Sequence, residues 1–210
     1  MRLLLLSLGV GAVPDFISAQ VGRPAAEVRI GYLDDAAGPF SGEWFVAAER
    51  EQLAGLGYSL VDLTAADFES ADSFAEALAG VDVLYVCGGN TFVLLAALRR
   101  CGCDAVLVDR VRRGLPYIGA SAGSIITGPS LEPISLMDDP AEAPHLTDHS
   151  GLGLIDTVVI PHADGALPPY PPELITAIAE EYAADHRLTF LADDQALLVE
   201  DSSLRTIPSP

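Results

Sequence analysis

Leu115-Pro116-Tyr117-Ile118-Gly119-Ala120-Ser121-Ala122-Gly123-Ser124 is the stretch on which the reading of this chain turns. An apolar run enters it, and Ile125 and Ile126 follow as the start of a helical pattern. A strand that passes through Gly-x-Ser-x-Gly into a helix is the setting of a nucleophile elbow. The serine must stand on a tight strand-to-helix bend with its hydroxyl projecting. Large side chains at 119 and 123 would clash across that bend. The amide of Ala122 would then open a helix and face the same space as the serine oxygen, where developing negative charge is favoured.

The surroundings repeat the same alternation of strand and helix. Apolar runs at Leu3–Leu8, Val28–Leu33, Tyr58–Val61, Val81–Val86, Leu115–Gly119, Val158–Ile160, Leu188–Leu191 and Ala196–Val199 read as strands. Between them, Glu43–Leu56, Ser70–Leu78, Thr91–Arg99, Asp104–Arg113 and Glu173–Ala184 carry helical spacing. Thr91–Arg99 and Asp104–Arg113 end on basic residues, which suits helix C-termini. Such alternation predicts an α/β fold, a three-layer αβα sandwich on a mostly parallel sheet. The chain has 210 residues, no internal repeat and no evident linker, so a single domain over 1–210 is expected. The stretch Gly128–Gly153, with four prolines and several acids, reads as a long surface excursion, and Pro168–Pro172 as a second proline-rich loop.

Composition narrows the function. A formal net charge of −19 opposes nucleic acid and anionic membranes as partners. The three cysteines, Cys87, Cys101 and Cys103, offer no complete pairing, and a reducing, cytoplasmic setting is expected. Met1–Leu8 reads as a buried strand in preference to a signal peptide, and no run reaches the roughly 20 apolar residues of a membrane span. No Cys/His cluster has zinc spacing, so neither metal nor cofactor is expected.

A second block, Val86-Cys87-Gly88-Gly89-Asn90-Thr91-Phe92, follows a strand. Paired glycines let backbone approach a ligand, Asn90 or Thr91 would cap the next helix, and the Gly89 amide is a candidate second oxyanion donor. A plain strand-to-helix turn is the alternative. The serine also needs a base. Of His145, His149, His162 and His186, only His162 follows a strand, Val158–Ile160, and so falls at the sheet edge that carries active sites in open α/β folds. The base in turn needs a carboxylate. Asp193 and Asp194 follow the strand Leu188–Leu191, while Glu132, Asp138 and Asp139 in the excursion are rivals.

The blocks Gly119–Ser124, Gly88–Phe92 and Pro161-His162 together resemble peptidase E, the aspartyl dipeptidase family related to cyanophycinase. The resemblance runs from the first strand to about Val199. It implies a fold like the class I glutamine amidotransferases, with serine in place of their cysteine. It implies Ser121 as nucleophile, His162 as base, and the Gly89 and Ala122 amides as the oxyanion hole. The family's acid aligns with Asp193, although relatives carry glutamate there; an older candidate falls near Asp138 or Asp139. A short peptide substrate and a homodimer are also implied. Strict aspartyl dipeptidases place an arginine after the histidine, but Ala163–Ile178 holds no Arg or Lys, so strict Asp-X specificity is not expected. The competing functions are an esterase or amidase on a related sheet and a non-catalytic binding protein. The α/β-hydrolase order of Ser, acid, His is not the order found if Asp193 is the acid.

Overall fold

The computed structural model describes residues 1–201 and 203–210. Among these, nine strands and seven α-helices alternate: β1 (Arg2–Leu6), α1 (Val13–Val21), β2 (Arg29–Leu33), α2 (Trp44–Gly55), β3 (Ser59–Leu63), α3 (Ala71–Ala79), β4 (Val83–Val86), α4 (Thr91–Arg100), α5 (Cys103–Arg112), β5 (Tyr117–Ala120), α6 (Ala122–Ile125), β6 (Val158–Ile160), α7 (Pro172–Tyr182), β7 (Leu188–Phe190), β8 (Gln195–Glu200) and β9 (Ser203–Pro208).

The main sheet has the order β3-β2-β4-β5-β1-β8-β9. The five strands from β3 to β1 pair in parallel. β8 then runs antiparallel to β1, and β9 antiparallel to β8. Helices cover both sides of this sheet, giving the three-layer α/β architecture. Continuous apolar strands follow from that cover: Leu3 to Leu6, Val83 to Val86 and Tyr117 to Ala120 are buried throughout. Parallel strands end on one edge, and the loops leaving β4 and β5 share it with the Ser7 end of β1.

Three sequence expectations need correction. β6 and β7 do not join the main sheet; they pair with each other in parallel as a two-stranded unit. β1 stops at Leu6, and Leu8 is exposed; the Ser7 amide still donates to the Gln195 carbonyl at the end of the pairing with β8. The 128–153 excursion is not simply surface. Leu131 and Ile134 are fully buried, and the latter sits in a satellite apolar cluster with Val158, Ile160 and Ile178. That cluster anchors the excursion beside β6. No helix among the described residues is long and apolar enough to cross a membrane.

Candidate active site

The bend after β5 is built by glycines that have no room for a side chain. A Cβ on Gly119 would collide with the Gly123 carbonyl, and one on Gly123 would collide with the Val86 carbonyl of β4. The need for small residues therefore arises across the turn at 119 and against the neighbouring strand at 123. Tyr117 donates its hydroxyl to the Gly123 carbonyl at 2.6 Å, and Ser124 donates to the Leu6 and Gly119 carbonyls at 2.7 and 2.8 Å. These buried bonds lock the start of α6 onto β1 and β5.

Between them Ser121 is forced to φ 45° and ψ −106°. A side chain at positive φ outside the left-handed helical well stores strain of about 1–3 kcal/mol, and such strain persists only where the surrounding structure over-determines it. The strain lifts the hydroxyl out of the bend. Ser121 is only partly buried although its neighbours Ala120 and Ala122 are buried.

His162 arrives from a different element. It follows β6 and Pro161, has φ 57°, and is 3% exposed. Its amide donates to Ser7 Oγ at 2.8 Å, and the next amide, Ala163, donates to the Leu191 carbonyl at 2.9 Å. Tyr170 from the proline-rich loop stacks on the imidazole at 4.9 Å and 6°. The backbone carrying the ring is thus fixed by two hydrogen bonds, and a parallel aromatic covers one face of the imidazole. Nε2 lies 3.1 Å from Ser121 Oγ, and Nδ1 lies 2.6 Å from Asp193 Oδ1. An ionised carboxylate only accepts, so Nδ1–H donates to Asp193 and Nε2 is left to accept the Ser121 proton.

Asp193 sits in the turn before β8. Its amide donates to Asp164 Oδ2 at 3.3 Å, its carbonyl accepts from the Gly9 amide at 3.0 Å, and Ser7 Oγ lies 3.4 Å from its Oδ1. The structure thus brings Ser121, His162 and Asp193 into one hydrogen-bonded line. None of the other candidate acids joins that line, although Asp138 lies near enough to His162 to feel the charge of its ring. Asp139 accepts from Ala141 and caps a short 3₁₀ turn, while Glu132 pairs with His186 at 3.2 Å. Asp194 is exposed. Asp138 is buried and accepts from the Thr91 amide at 2.8 Å at the start of α4. Burial raises its carboxyl above the ordinary value, with the Thr91 bonds opposing the shift. His149 packs edge-on against Phe92.

The Gly88-Gly89 block forms the facing wall. Gly89 has φ 137°, and a Cβ there would collide with the Ala36 backbone, so only glycine fits. Asn90 caps α4, its Oδ1 accepting from Phe92 and Val93 at 2.9 and 3.1 Å. A Cβ placed on Gly88 would lie 3.5 Å from Ser121 Cβ. The glycine block therefore lies directly against the serine. Ala122 is the first residue of α6, and its amide has no intrahelical acceptor.

Three participants escape a reading of the sequence. Ser7 gave one faint sign, a hydroxyl closing an apolar strand. Tyr170 lay hidden among prolines. Glu49 on α2 also reaches the Gly88 amide, at 3.2 Å to each oxygen, and nothing in its amphipathic helix marks it out.

A strand-to-helix bend that presents a serine to a buried histidine–carboxylate pair, on a three-layer α/β scaffold, defines the class as a hydrolase-type α/β protein. Comparison with known proteins carries this to a family. The sequence model of peptidase family S51 matches residues 5–207. The chain is similar to the uncharacterized peptidase Lin0382 of Listeria innocua, at 35% identity over 78% of this chain and 76% of that one. It is similar to peptidase E of Streptomyces coelicolor at 35% identity, over 77% of this chain and 64% of that one. A crystal structure of a candidate peptidase E protein from Listeria monocytogenes EGD-e superposes with a TM-score of 0.86 and 28% identity, over 99% and 98% of the two chains. The chain belongs to peptidase family S51, and is a peptidase.

Proposed function

We propose that the protein is a serine peptidase that hydrolyses short peptides through an acyl-enzyme. Ser121 Oγ attacks the peptide carbonyl as His162 Nε2 takes its proton. The Gly89 and Ala122 amides receive the oxyanion. His162 then protonates the leaving amine, and the C–N bond breaks to leave an ester on Ser121. Water attacks that ester with His162 again as base, releasing the acid and restoring the serine. Asp193 holds the imidazole in the tautomer that leaves Nε2 unprotonated and stabilises the imidazolium once it forms. Each oxyanion donor is worth about 3 kcal/mol of barrier in such sites.

The observation that carries this reading is the unbroken line from Ser121 through His162 to Asp193, at 3.1 and 2.6 Å. A bare packing turn would give no reason for a strained serine to meet an aromatic-clamped imidazole. The chain order Ser, His, acid also departs from that of the α/β-hydrolases, which disfavours the esterase alternative. No arginine or lysine lies between Ala163 and Ile178, so a guanidinium clamp for an N-terminal aspartate is not available from that stretch.

The test is labelling with a fluorophosphonate probe, followed by mapping of the modified residue. Label on Ser121 supports the reading. A folded wild-type protein that takes up no label refutes it. A panel of dipeptides then reads specificity, and a marked preference for Asp-X peptides would overturn the inference from the missing arginine.

A further inference from the structure

Glu49 is a half-buried carboxylate that the acyl-transfer steps do not use, and it lies against the nucleophile. Its Oε1 accepts from the Tyr85 hydroxyl at 3.0 Å, and both oxygens are 3.2 Å from the Gly88 amide. Gly88 lies between it and the serine. A Cβ placed on Gly88 would be 3.2 Å from Glu49 Oε2 and 3.5 Å from Ser121 Cβ. Both donors to the carboxylate are neutral, and no cation pairs with it among the described residues. The adjacent Arg50 is turned away, bonded to Asp62 at 2.8 and 3.0 Å and lying 5.9 Å over the Tyr32 ring. A carboxylate has about four lone-pair sites, so two donor groups leave room for another. Partial burial of an anion without a counter-charge is unfavourable, and the arrival of a cation relieves it.

The distance to Ser121 says which cation fits. In a peptide attacked at its first carbonyl, the α-amino nitrogen is two bonds from the attacked carbon and lies within roughly 4 Å of the serine oxygen. An ammonium there reaches a carboxylate by a charge-assisted bond of about 2.8 Å. A basic side chain would have to fold back on itself to arrive at the same place. We propose, building on the acyl-enzyme reading above, that Glu49 is a specificity-determining residue that receives the free α-ammonium of the substrate.

The same carboxylate acts against other substrates. A bare negative charge this near the oxyanion site opposes the charge that develops there, and a substrate ammonium cancels it. An N-acylated peptide meets the uncancelled charge. Burial pushes Glu49 up to about 7, with the Gly88 and Tyr85 bonds pulling the other way. The groups facing it are Tyr32 on β2, Asp34, Tyr85 on β4, Cys87 and, beyond Gly88, the Ser121–His162 pair. Tyr32, Tyr85 and Cys87 are all raised by burial and stay neutral near pH 7. Selectivity for the free amine therefore rises as the pH passes through about 7 and Glu49 ionises. It falls again near 8, where peptide amines lose their proton.

The experiment measures kcat/KM for alanine anilide and N-acetyl-alanine anilide between pH 6 and 8, in wild type and in Glu49→Gln. Glutamine retains an acceptor for Gly88 and Tyr85 while removing the charge. The expected wild-type preference for the free amine is about 10- to 100-fold, growing with pH through neutrality, and it collapses in Glu49→Gln. Equal cleavage of the two substrates by wild type overturns the proposal, as does a preference that survives in the variant. So does faster cleavage of N-acetyl-lysyl than of N-acetyl-alanyl substrate, which would assign the carboxylate to a basic side chain. If Glu49→Gln fails to fold, the wild-type ratio and its pH course decide alone. Fluorophosphonate labelling separates the two readings. Labelled wild type without amine preference refutes the role of Glu49 only, whereas folded but unlabelled wild type refutes the serine peptidase itself.

Discussion

Two carboxylates flank Ser121, and their surroundings differ. On the β8 side, Asp193 has a basic partner, His162, at 2.6 Å. On the α2 side, Glu49 has only a backbone amide and a phenol. In the proposed acyl transfer, the first acid is matched with a group whose charge changes. The second is held by neutral donors and left wanting a cation. An acid with an imidazole partner handles protons, while one with neutral partners is poised to receive a charged ligand. Among 30 acidic residues, spacing alone does not tell these roles apart.

The largest test of this contrast removes what the two acids share. Ser121→Ala is expected to abolish fluorophosphonate labelling and to lower kcat by a factor on the order of 10⁴ to 10⁶. Retained turnover would detach both acids from the chemistry. Next comes the β8 side. Asp193→Asn keeps the shape but favours the wrong imidazole tautomer, and is expected to lower kcat by about 10³- to 10⁴-fold. Asp139→Asn, which alters only a turn cap, is expected to stay within a few-fold of wild type. Near-equal rates in the two variants would remove Asp193 from its role. The α2 side is expected to show a smaller effect, confined to the choice between free and blocked N-termini, as set out above for Glu49→Gln.

The smallest effect is on stability. Glu49 is raised in the fold from 4.5 to about 7. The folded state therefore binds this proton more tightly than the unfolded chain, and stability is lost as the pH rises from about 4.5 through about 7. Glu49→Gln has no such proton to lose. It is expected to melt about 2–4 °C above wild type at pH 8, with the difference shrinking toward pH 5. Calorimetry at the two pH values checks this. A Tm gain independent of pH would mean that the charge at 49 is not what strains the fold.

Much of this architecture was legible beforehand because parallel strands covered on both faces must be continuously apolar. β1, β2, β4 and β5 announced themselves in that way. α1 was obscured by the long apolar run before it, despite Pro14 in its first turn. β9 was missed because it is a mostly exposed edge strand held by pairing to β8 and not by a buried face. The pairing of β6 with β7, away from the main sheet, has no local signature at all. At the site, the bend at Ser121, the glycine wall and His162 were readable from residue type and position beside a strand. Glu132 and Asp139 remained in the sequence as rivals to Asp193, the preferred acid. They are excluded from the His162 ring only by their other partners, His186 and the Ala141 amide.

By itself, the sequence determined which residues can stand on a bend too tight for a Cβ, and which runs are apolar enough to lie inside a covered sheet. These are local matters of volume and hydration, written in residue type. That the Asp193 carboxylate reaches the imidazole while its rivals do not, that Ser7 and Tyr170 pack around His162, and that Glu49 ends beside Ser121 were decided only when distant segments packed together. Hydrogen bonding and charge pairing depend on a few ångströms between groups far apart in the chain, and no spacing in the sequence encodes such a distance.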